Sequence, residues 1–576
     1  MRVVARADEV GKRRLIAYVV PVVGACSGWS DVREQEQVDE RKGLYELLYQ
    51  ASDSSGYGEG FAANSSYDGQ PIPLEDLRAW RDATVEQIRR LRPRRVLEIG
   101  VRSGLILSEV ASACETYWGA DVSEEAIVAL RRRTAEVGLA ERVELRVQPA
   151  HDVTDLPDGF FDTVIINSLV QHFPSVDYLI DVLRKVVNLL IPGGAVFVGD
   201  VRNLRLLRCL RAAVELHRIG THPTPAELPA IRFSVEAAVA WERELLLDPD
   251  FFPALRHLIP DIGGVDLRIK RALCHNEFSR YRYDVVLRKV PSPPSPEPAP
   301  ELNWGTEIDG LEGLTEHLTL RRPAKLRIVG IPNARLASDL SALRELGEES
   351  ALGAALRTPD GGNPANAMMD PEALHELGAG LGYRVVTTWS GERDDGSVDV
   401  EFADARADTE FGEIYRPARN RSIRSLGNSP AVFPATGALL KSLRSHATRW
   451  LPAHMVPAAF VPLPWLPVLP NGKLDRAALP APDFGALSTG HRPRSAREEL
   501  LCELYAEVLG VPATGINDDF YALGGDSIVS IQLVIRARQV GLVITPRQVF
   551  THRTVAELAP LATAVADTVA EPPEVG

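Results

Sequence analysis

The stretch RRVLEIGVRSGLIL, residues 94–107, combines an apolar strand pattern, a glycine turn and the start of a helix. Its branched apolar run favours a β-strand, and Gly100 and Gly104 then interrupt the chain before an apolar helical segment. A strand, turn and helix in this order typically open a doubly wound α/β domain. Alone the pattern is a weak indication of a ligand site, because such glycines often serve only strand-to-helix packing.

Apolar runs alternate with helical segments from this unit to about residue 200. The alternation predicts a parallel sheet covered by helices. The proline-rich stretch PSPPSPEPAPE (291–301) predicts a semi-rigid spacer, and a second mixed α/β region follows over about 302–405. No internal repeat is evident. The predicted strands are RRVLEIG, TYWGADV, RVELRVQ, FDTVIIN and AVFVGDV.

Acidic and amide side chains follow these strands at the edge where open parallel sheets bind ligands. Asp121 ends the second strand, 23 positions after Glu98, about where a carboxylate would bind ribose hydroxyls. Asp152 follows the third strand, and the fourth ends at Asn167. We expect these residues to converge on one crevice. The alternative for each acidic residue is a helix-cap or turn carboxylate.

A serine opens an amphipathic helix in FYALGGDSIVSIQLVIRARQV, residues 520–540. Ser527 follows a Gly-Gly-Asp loop, and the flanking segments have helical patterns without a convincing strand. A helix N-terminus carries partial positive charge and free N–H groups, which favour a phosphate. An isolated serine at that position would be a simple helix cap.

The whole stretch 494–565 resembles a peptidyl carrier protein, and LGGDS matches the attachment motif of that family. The resemblance implies an all-α helical bundle in which a phosphopantetheinyl transferase attaches 4′-phosphopantetheine to Ser527. Such a flexible arm keeps its cargo at high effective concentration near neighbouring active sites.

Two motifs within residues 451–480, LPAHMVP and NGKLDR, resemble the end of a nonribosomal adenylation domain. The resemblance implies that Lys473 reaches an adenylate as a mobile point charge, whereas alone it would be a solvated turn lysine. Residues 1–23 resemble the preceding strand and turn, which implies one small discontinuous α+β subdomain formed with 431–482. The adenylation core is missing from the sequence. We therefore expect no amino-acid activation by this chain alone, and the core and neighbouring synthetase modules are implied partners.

The intervening residues 32–420 resemble the N-methyltransferase domains that interrupt adenylation domains in nonribosomal peptide synthetases. Matching motifs include NSSYDGQPIP (64–73) and HNEFSRYRYDVV (275–286). The resemblance implies a Rossmann-like methyltransferase over 32–290, an accessory α/β lobe over 302–420, and methylation of an aminoacyl thioester amine. It also implies that S-adenosylmethionine is bound by Glu98, Gly100, Gly104, Asp121, Asp152 and Asn167.

Methylation of an amine whose pKa is about 7.7–8.0 depends more on positioning than on a strong base. The catalytic candidates are His172, Asp200 and Glu277. His172 would be a base or a structural histidine, and the two carboxylates would orient the amine or bond to Arg202 and Arg280. The remaining substrate-side candidates are Asn167, Gln171, Arg202 and Asn203.

Two positions depart from the family pattern. EIGVRSG places Arg102 where the family has a glycine, and a glycine there permits a positive φ and close approach of the cofactor. Arginine adds bulk and a cation near a sulfonium, so we expect weaker cofactor binding; the alternative is that Arg102 contacts the cofactor's carboxylate. In FAAN (61–64), alanines stand where a tryptophan is expected.

The composition excludes several other classes of function. The 576 residues carry a formal net charge of −14 with interleaved signs, which argues against a nucleic-acid surface. No apolar stretch reaches the roughly 18–20 residues of a membrane span, and no secretory signal is evident. Five scattered cysteines predict no metal site and favour a reducing cytoplasm. Two alternatives stay open: a carrier and scaffold with a silenced methyltransferase, and methylation of a side-chain heteroatom.

Overall fold

The chain forms two units in the computed structural model, one of residues Tyr49–Pro430 and one of Met1–Leu48 with Ala431–Gly576. The alanines at 62 and 63 lie outside the residues that the structure describes. The described residues are 2–7, 13–20, 64–220, 223–224, 227–240, 242–272, 274–292, 297–346, 368–407, 411–418, 421–430, 442–452, 455–457, 459–463, 466, 473–474, 476, 479, 493–509, 514–518, 520 and 527–564.

The helices and strands are numbered along the chain. The strands are β1 (Arg2–Ala7), β2 (Arg13–Val19), β3 (Arg95–Ile99), β4 (Thr116–Asp121), β5 (Val143–Val147), β6 (Phe161–Asn167), β7 (Leu190–Arg202), β8 (Ile262–Ile269), β9 (Arg282–Lys289), β10 (Glu301–Asn303), β11 (Lys325–Ile331), β12 (Tyr383–Trp389), β13 (Val398–Asp404), β14 (Ala459–Pro462), β15 (Leu542–Val543) and β16 (Thr563–Ala564). The α-helices are α1 (Leu74–Arg90), α2 (Leu107–Val110), α3 (Glu124–Glu136), α4 (Val176–Leu189), α5 (Leu207–Ile219), α6 (Leu228–Ala240), α7 (Phe251–Ala254), α8 (Glu277–Tyr281), α9 (Gly310–Arg321), α10 (Ala337–Glu345), α11 (Pro371–Leu381), α12 (Ala496–Leu509), α13 (Ser527–Gln539), α14 (Pro546–Thr551) and α15 (Val555–Leu558).

The larger unit contains a seven-stranded sheet in the order β5-β4-β3-β6-β7-β9-β8. Strand β9 runs antiparallel to β7 and β8, and the other neighbours are parallel. All five strands predicted between 94 and 200 are present, which confirms the doubly wound α/β fold. The chain moves outward from β3 to β5 and returns on the other side of β3 as β6. Ligands of such sheets bind outside the carboxyl ends of the strands at this reversal.

The accessory lobe has its own sheet, in the order β10-β11-β13-β12. Strand β10 is parallel to β11, and β13 is antiparallel to both β11 and β12. These strands repeat the order and directions of β6-β7-β9-β8 in the larger sheet. The register of β7 on β9 shifts between Val198 and Val201, and that of β11 on β13 shifts between Ile328 and Ile331.

The repeat extends to single residues within these shifts. Asp200 and Gly330 have positive φ angles of +65° and +73°. Their backbone N–H groups donate to the carboxylates of Asp284 and Asp399 on the paired strands, at 2.8 and 3.0 Å. The expectation of no internal repeat is therefore wrong. The matching residues are few and widely spaced, which hides the repeat in the sequence.

At the junction of the two halves, equivalent residues of the repeat donate hydrogen bonds from each half to the other. Asn203 and Asn333 each cap a 3-10 helix that carries an arginine. Arg205 donates to the Gly391 carbonyl in the lobe at 3.2 Å, and Arg335 donates back to the Lys270 carbonyl beside β8 at 2.8 Å. The carboxylate partners of the two arginines are Asp248 and Asp370.

The apolar core is continuous across this junction. One cluster of buried side chains extends from Val198 and Leu206 to Ile328 and Phe402 in the lobe, and α5 packs against α10. A second cluster, with Val96 and Ile165, fills the opposite face of the seven-stranded sheet. Burial at about 25 cal/mol per Å² of apolar surface makes such a shared core the main stabilising term.

The smaller unit contains a three-stranded sheet in the order β1-β2-β14. Strand β2 pairs antiparallel with β1 and parallel with β14, so strands that are far apart in the sequence share one sheet. Helices α12 to α15 enclose a separate apolar core that includes Leu501, Phe520 and Leu533. The expectation that this region has no strand is wrong, because Leu542–Val543 pairs with Thr563–Ala564.

Candidate functional site

The turn after β3 lies at the strand-order reversal. Gly100 has a φ of +83°, and its N–H donates to the Ala120 carbonyl of β4 at 2.8 Å. A Cβ at Gly100 would lie 3.0 Å from the side chain of Leu169. Gly104 has a φ of +76°. Both predicted glycines thus serve a conformation that side chains resist, and they keep the loop open beside β6.

Arg102 lies between these glycines with a φ of +48°. The backbone therefore adopts the left-handed conformation for which the family uses a glycine. The Arg102 N–H donates to the Asp121 carboxylate at 2.9 Å. The loop keeps its shape despite the arginine, at a conformational cost of about 1–2 kcal/mol.

Asp121 ends β4 and faces the same loop. Its second oxygen accepts from the N–H of Ser123 at 3.0 Å, and Ser123 caps α3 through Ala126. Burial raises the pKa of Asp121, while the N–H groups of Ser123 and Arg102 oppose that rise. Each oxygen accepts one of these N–H groups and keeps a further lone pair for a ligand.

Glu98 is turned into the protein interior. Only 3% of the residue is exposed, and the Tyr117 hydroxyl donates to its carboxylate at 2.6 Å. Burial raises the pKa of Glu98 to about 8. The side chain is therefore mostly protonated at neutral pH, and the structure gives it a structural partner within the sheet.

Asp152 lies in the turn after β5 and is partly exposed. Its carboxylate accepts from the N–H of Thr154 at 2.9 Å. The hydroxyl and N–H of Thr154 hold the pKa of Asp152 below its usual range. Asp152 thus forms the turn carboxylate that was its alternative, and it stays ionised beside the crevice.

Asn167 ends β6 on the other side of the reversal. Its amide oxygen is buried and has no hydrogen-bond partner within the described residues. A Cβ at the neighbouring Gly199 would lie 2.2 Å from this oxygen, so Gly199 provides the space for the amide. A buried acceptor without a donor is costly in a folded protein, and it fits a site that binds a polar ligand.

Asp200 is fully buried in a network of charges. Its carboxylate accepts from Trp80 at 3.0 Å, from Ser168 at 2.5 Å and from Arg282, and the Lys270 ammonium lies 3.8 Å away. Burial would raise the pKa of Asp200, but Arg282 and Lys270 hold it below its usual range. Asp200 is therefore an ionised group that fixes Ser168, at the end of β6, rather than an open substrate-side carboxylate.

The predicted pairing of Asp200 with Arg202 is wrong. Arg202 donates to Glu244 at 2.5 Å, because Asp200 turns at positive φ toward Arg282. Asn203 accepts from the N–H of Arg205 at 3.0 Å and acts as a helix cap.

Two other candidates lie in the 3-10 segment after β6. Gln171 is buried and donates to the Ser168 carbonyl at 2.9 Å. His172 is partly exposed, and its N–H donates to the Leu169 carbonyl. Both side chains thus lie close to the end of β6.

A pocket of about 460 Å³ lies at the same edge of the sheet, between the methyltransferase core and the accessory lobe. The Glu277 carboxylate lines it and accepts from the N–H of Ser66 at 2.9 Å. The predicted pairing of Glu277 with Arg280 is wrong, because Arg280 binds Asp339 of the lobe at 3.1 Å. The lining residues are Ser65, Tyr67, Ile72, Ala213, His217, His275, Asn276, Glu277, Arg280, Ser338, Asp339 and Ala342.

A small apolar cluster joins this pocket to the glycine loop. Leu105, which follows Gly104, packs on a cluster that contains Ile72, Trp80 and Phe278, and Ile72 also lines the pocket. Sequence reasoning did not select Tyr67 or Asp339. Tyr67 stands in the quoted NSSY motif, but nothing in the sequence distinguishes Asp339 from other helical acids.

Two family models match the chain. The model described as "Methyltransferase domain" matches residues 97–198, and that described as "Phosphopantetheine attachment site" matches residues 499–561. The first match covers the loop and strands of the crevice, and the second includes Ser527.

Long relatives align along almost the whole chain. The probable non-canonical nonribosomal peptide synthetase CymA of Salinispora arenicola is 40% identical over 97% of this chain, and chondramide synthase cmdD of Chondromyces crocatus is 38% identical over 97%. A solved "Non Ribosomal PCP domain" is 48% identical over 13% of this chain and 97% of its own, with a TM-score of 0.13. The chain thus combines a methyltransferase domain with a phosphopantetheine attachment domain, and nonribosomal peptide synthetases match it along almost its whole length. It spans 7% of CymA and 14% of chondramide synthase.

The methyltransferase domain uses S-adenosylmethionine, and the carrier domain uses 4′-phosphopantetheine. The crevice fits the first cofactor: Gly100 leaves room that a Cβ would fill, Asn167 offers an orphaned buried acceptor, and Asp121 offers carboxylate lone pairs. Ser527 is the first residue of α13, where the helix dipole favours a phosphodiester.

The structure describes only some of the residues in the other synthetase motifs. Lys473 lies at an exposed position, while the Gly-Gly-Asp loop before Ser527 and the side chain of Ser527 lie outside the described residues. Within the part of the chain that the structure describes, no helix combines the length and apolarity needed to cross a membrane.

Proposed function

We propose that this chain transfers a methyl group from S-adenosylmethionine to the amine of an aminoacyl thioester held on the phosphopantetheine arm of Ser527. The observation that carries the proposal is the Glu277 carboxylate in a pocket next to the cofactor loop. A carboxylate at that position attracts an amine and accepts its hydrogen bonds. The family matches to a methyltransferase and to a carrier on one chain support the proposal.

Three residues of the crevice would each bind a different part of the cofactor. Asp121 would accept ribose hydroxyls, Asn167 would accept one further donor, and the backbone at Gly100 would lie against the ligand. When bound, the cofactor would supply an electrophilic methyl group and leave as S-adenosylhomocysteine. Glu277 holds the neutral amine in position and receives the proton that the nitrogen releases when it is methylated. Orientation of the reacting atoms, rather than base strength, then supplies most of the rate.

Asp200 does not contact the substrate but positions residues near it. It holds Ser168 at a φ of +51° and anchors Trp80, which belongs to the cluster between loop and pocket. Trp80 and Ser168 therefore stay fixed while substrate and cofactor exchange. His172, partly exposed after β6, is a further group beside the reacting atoms.

The adenylation subdomain is proposed to be interrupted by the methyltransferase. Pairing of β14 with β2 supports one subdomain built from residues 1–23 and 431–482, with 32–290, 302–420 and 494–565 as the other domains. Lys473 would act only with an adenylation core, so this chain alone would not activate an amino acid. The proposed partners are that core, neighbouring modules and a phosphopantetheinyl transferase.

Arg102 supports a second candidate function, a carrier and scaffold whose methyltransferase is silent. The bulk and the added cation of its side chain both oppose cofactor binding, although its backbone adopts the left-handed conformation that a glycine would adopt. Methylation of a side-chain heteroatom is a third outcome of the same experiment.

The test loads the carrier without an adenylation domain. A promiscuous phosphopantetheinyl transferase attaches aminoacyl-phosphopantetheine from a panel of aminoacyl coenzyme A thioesters, and methyl-labelled S-adenosylmethionine is added. Intact-protein mass spectrometry should show a gain of one methyl group, and tandem spectra of the released arm should place it on the α-nitrogen. Ser527→Ala is the control and should take up no label.

Each result separates the candidates. Label on a side-chain atom would replace the amine with another acceptor. Label in neither position, together with normal loading of Ser527, would favour the carrier and scaffold.

A further inference from the structure

Two tyrosine hydroxyls converge on one carboxylate oxygen beside the pocket. Tyr67 and Tyr281 donate to Oδ2 of Asp339 at 2.7 and 2.5 Å, and their own hydroxyl oxygens lie 3.5 Å apart. Arg280 donates to the same carboxylate at 3.1 Å. Asp339 is 4% exposed, so these bonds form in a medium that strengthens charge-assisted contacts.

Asp339 belongs to the accessory lobe, whereas Tyr67, Tyr281 and Arg280 belong to the methyltransferase core. The repeat aligns Asn203 with Asn333, and it therefore aligns Cys209 of α5 with Asp339 of α10. Cys209 also contacts the Tyr281 hydroxyl, at 4.0 Å. The two halves share the capping asparagines and the arginines, but only the lobe has an acid at this position. The repeated scaffold therefore does not itself require an acid at this position.

Tyr67 transmits this contact to the substrate side. Its ring meets the edge of His217 with centroids 5.9 Å apart, and both residues line the pocket. The next residue toward the N-terminus, Ser66, donates its N–H to Glu277. Hydrogen bonds therefore connect Asp339 of the lobe to Tyr67, and the adjacent Ser66 to Glu277, the proposed amine-binding carboxylate.

We propose that Asp339 is a positioning residue for methyl transfer. Through Asp339, the accessory lobe holds Tyr67, which lines the pocket, in its position. This inference rests on the proposed function. Asp339 fixes the Tyr67 hydroxyl, and the turn that carries Tyr67 fixes Glu277 through Ser66. Burial raises the pKa of both tyrosines, so each phenol remains a donor throughout the working pH range. The lobe therefore shapes substrate binding without contact with the methyl group.

The test uses the full chain and an aminoacyl thioester of N-acetylcysteamine, which allows KM to be measured apart from the tethered carrier. The aminoacyl group is the one methylated best on Ser527. Asp339→Asn and Tyr67→Phe should each raise KM for this thioester about tenfold or more, because a charge-assisted hydrogen bond is lost. The expected kcat stays within about threefold, as for loss of uniform binding. The affinity for S-adenosylmethionine should not change.

A double variant and a control complete the experiment. Asp339→Asn with Tyr67→Phe should raise KM no more than either change alone, because both break the same bond. The exposed lobe acid Glu312→Gln should match the wild type. Wild-type KM in both single variants, or equal loss of cofactor affinity and melting temperature, would overturn the inference. Failure of the wild type itself to methylate the amine would instead remove the proposed function.

Discussion

The backbone N–H of Arg102 donates to the carboxylate of Asp121 at 2.9 Å, while Arg102 holds a φ of +48°. This bond ties the loop after β3 to the end of β4, so the loop is held in a left-handed conformation that an arginine resists. The carboxylate of Asp121, which we propose binds the cofactor, is therefore coupled through the backbone to the unusual arginine. We expect a change at Arg102 to act on cofactor binding and on stability together.

Arg102→Gly should stabilise the protein by about 1 kcal/mol, because glycine adopts positive φ without the steric cost. It should also bind S-adenosylmethionine more tightly, since bulk and a cation leave the crevice. Thermal denaturation and calorimetric titration measure the two effects.

Arg92→Gly is the matched control. Arg92 has a φ of +53° but follows α1, before β3 begins. It should gain similar stability with no change in cofactor affinity. Unchanged affinity in Arg102→Gly would contradict the prediction that the arginine weakens binding.

The parallel sheet and its crevice could be predicted from the sequence, because strand patterns and turn glycines act locally. Asp121 and Asn167 end β4 and β6, at the positions that the spacing indicated. The orientation of Glu98 could not be predicted, since it depends on Tyr117 of the adjacent strand. The partners of Asp200 and Glu277 likewise come from β9 and from the segment at Ser66, far away in the sequence.

Glu98→Gln should change how stability depends on pH. The unfolded chain releases the Glu98 proton near the model value of 4.5 and the folded chain near about 8. Between these values the folded state binds more protons, so the free energy of unfolding falls as pH rises. The stabilisation is fully present below the unfolded pKa and is lost as pH rises through the folded one.

Denaturant unfolding between pH 5 and pH 8 measures this effect. The wild type should lose more than about 1 kcal/mol relative to Glu98→Gln over this range. Tyr117→Phe removes a donor that lowers the pKa of Glu98, so it should steepen the loss. Parallel pH profiles for wild type and Glu98→Gln would show that Glu98 is ionised, and a fall in cofactor affinity would restore its predicted binding role.

Gly199→Ala should weaken S-adenosylmethionine binding about tenfold. The added Cβ would lie 2.2 Å from Oδ1 of Asn167 and 2.5 Å from the Phe197 ring, so the amide must leave its position, and overpacking costs about 1–3 kcal/mol. If the effect passes through Asn167, Gly199→Ala in an Asn167→Ala background should cause little further loss of affinity. The control Gly313→Ala, in a helix with nothing within 4 Å, should leave binding unchanged. Additive losses would point to a general distortion of the sheet.

The internal repeat shows what sequence patterns miss. Its matched residues, such as Asp284 with Asp399, contact backbone groups at a strand irregularity. A carboxylate that accepts a backbone N–H at a single bulge produces no periodic sequence pattern, because its partner lies on another strand. Asp339 is equally hidden, since its partners Tyr67 and Tyr281 are 272 and 58 positions away.

Arg335→Met should destabilise the larger unit by about 3 kcal/mol or more, because removal of one member of a buried ion pair leaves the other uncompensated. The Arg335 side chain is 1% exposed, while that of its partner Asp370 is 25% exposed. Arg205→Met should cost more, since its partners Asp248 and Asp250 are only 3% and 2% exposed and would then share the partly exposed Arg421 as their cation. Arg424→Ala is the control: that side chain is 75% exposed, and an exposed pair contributes about 0–1 kcal/mol. Chemical denaturation should show a single transition for the larger unit in each variant if the repeat joins both halves into one cooperative core. A separate early transition in Arg335→Met would mean instead that the accessory lobe unfolds independently of the methyltransferase core.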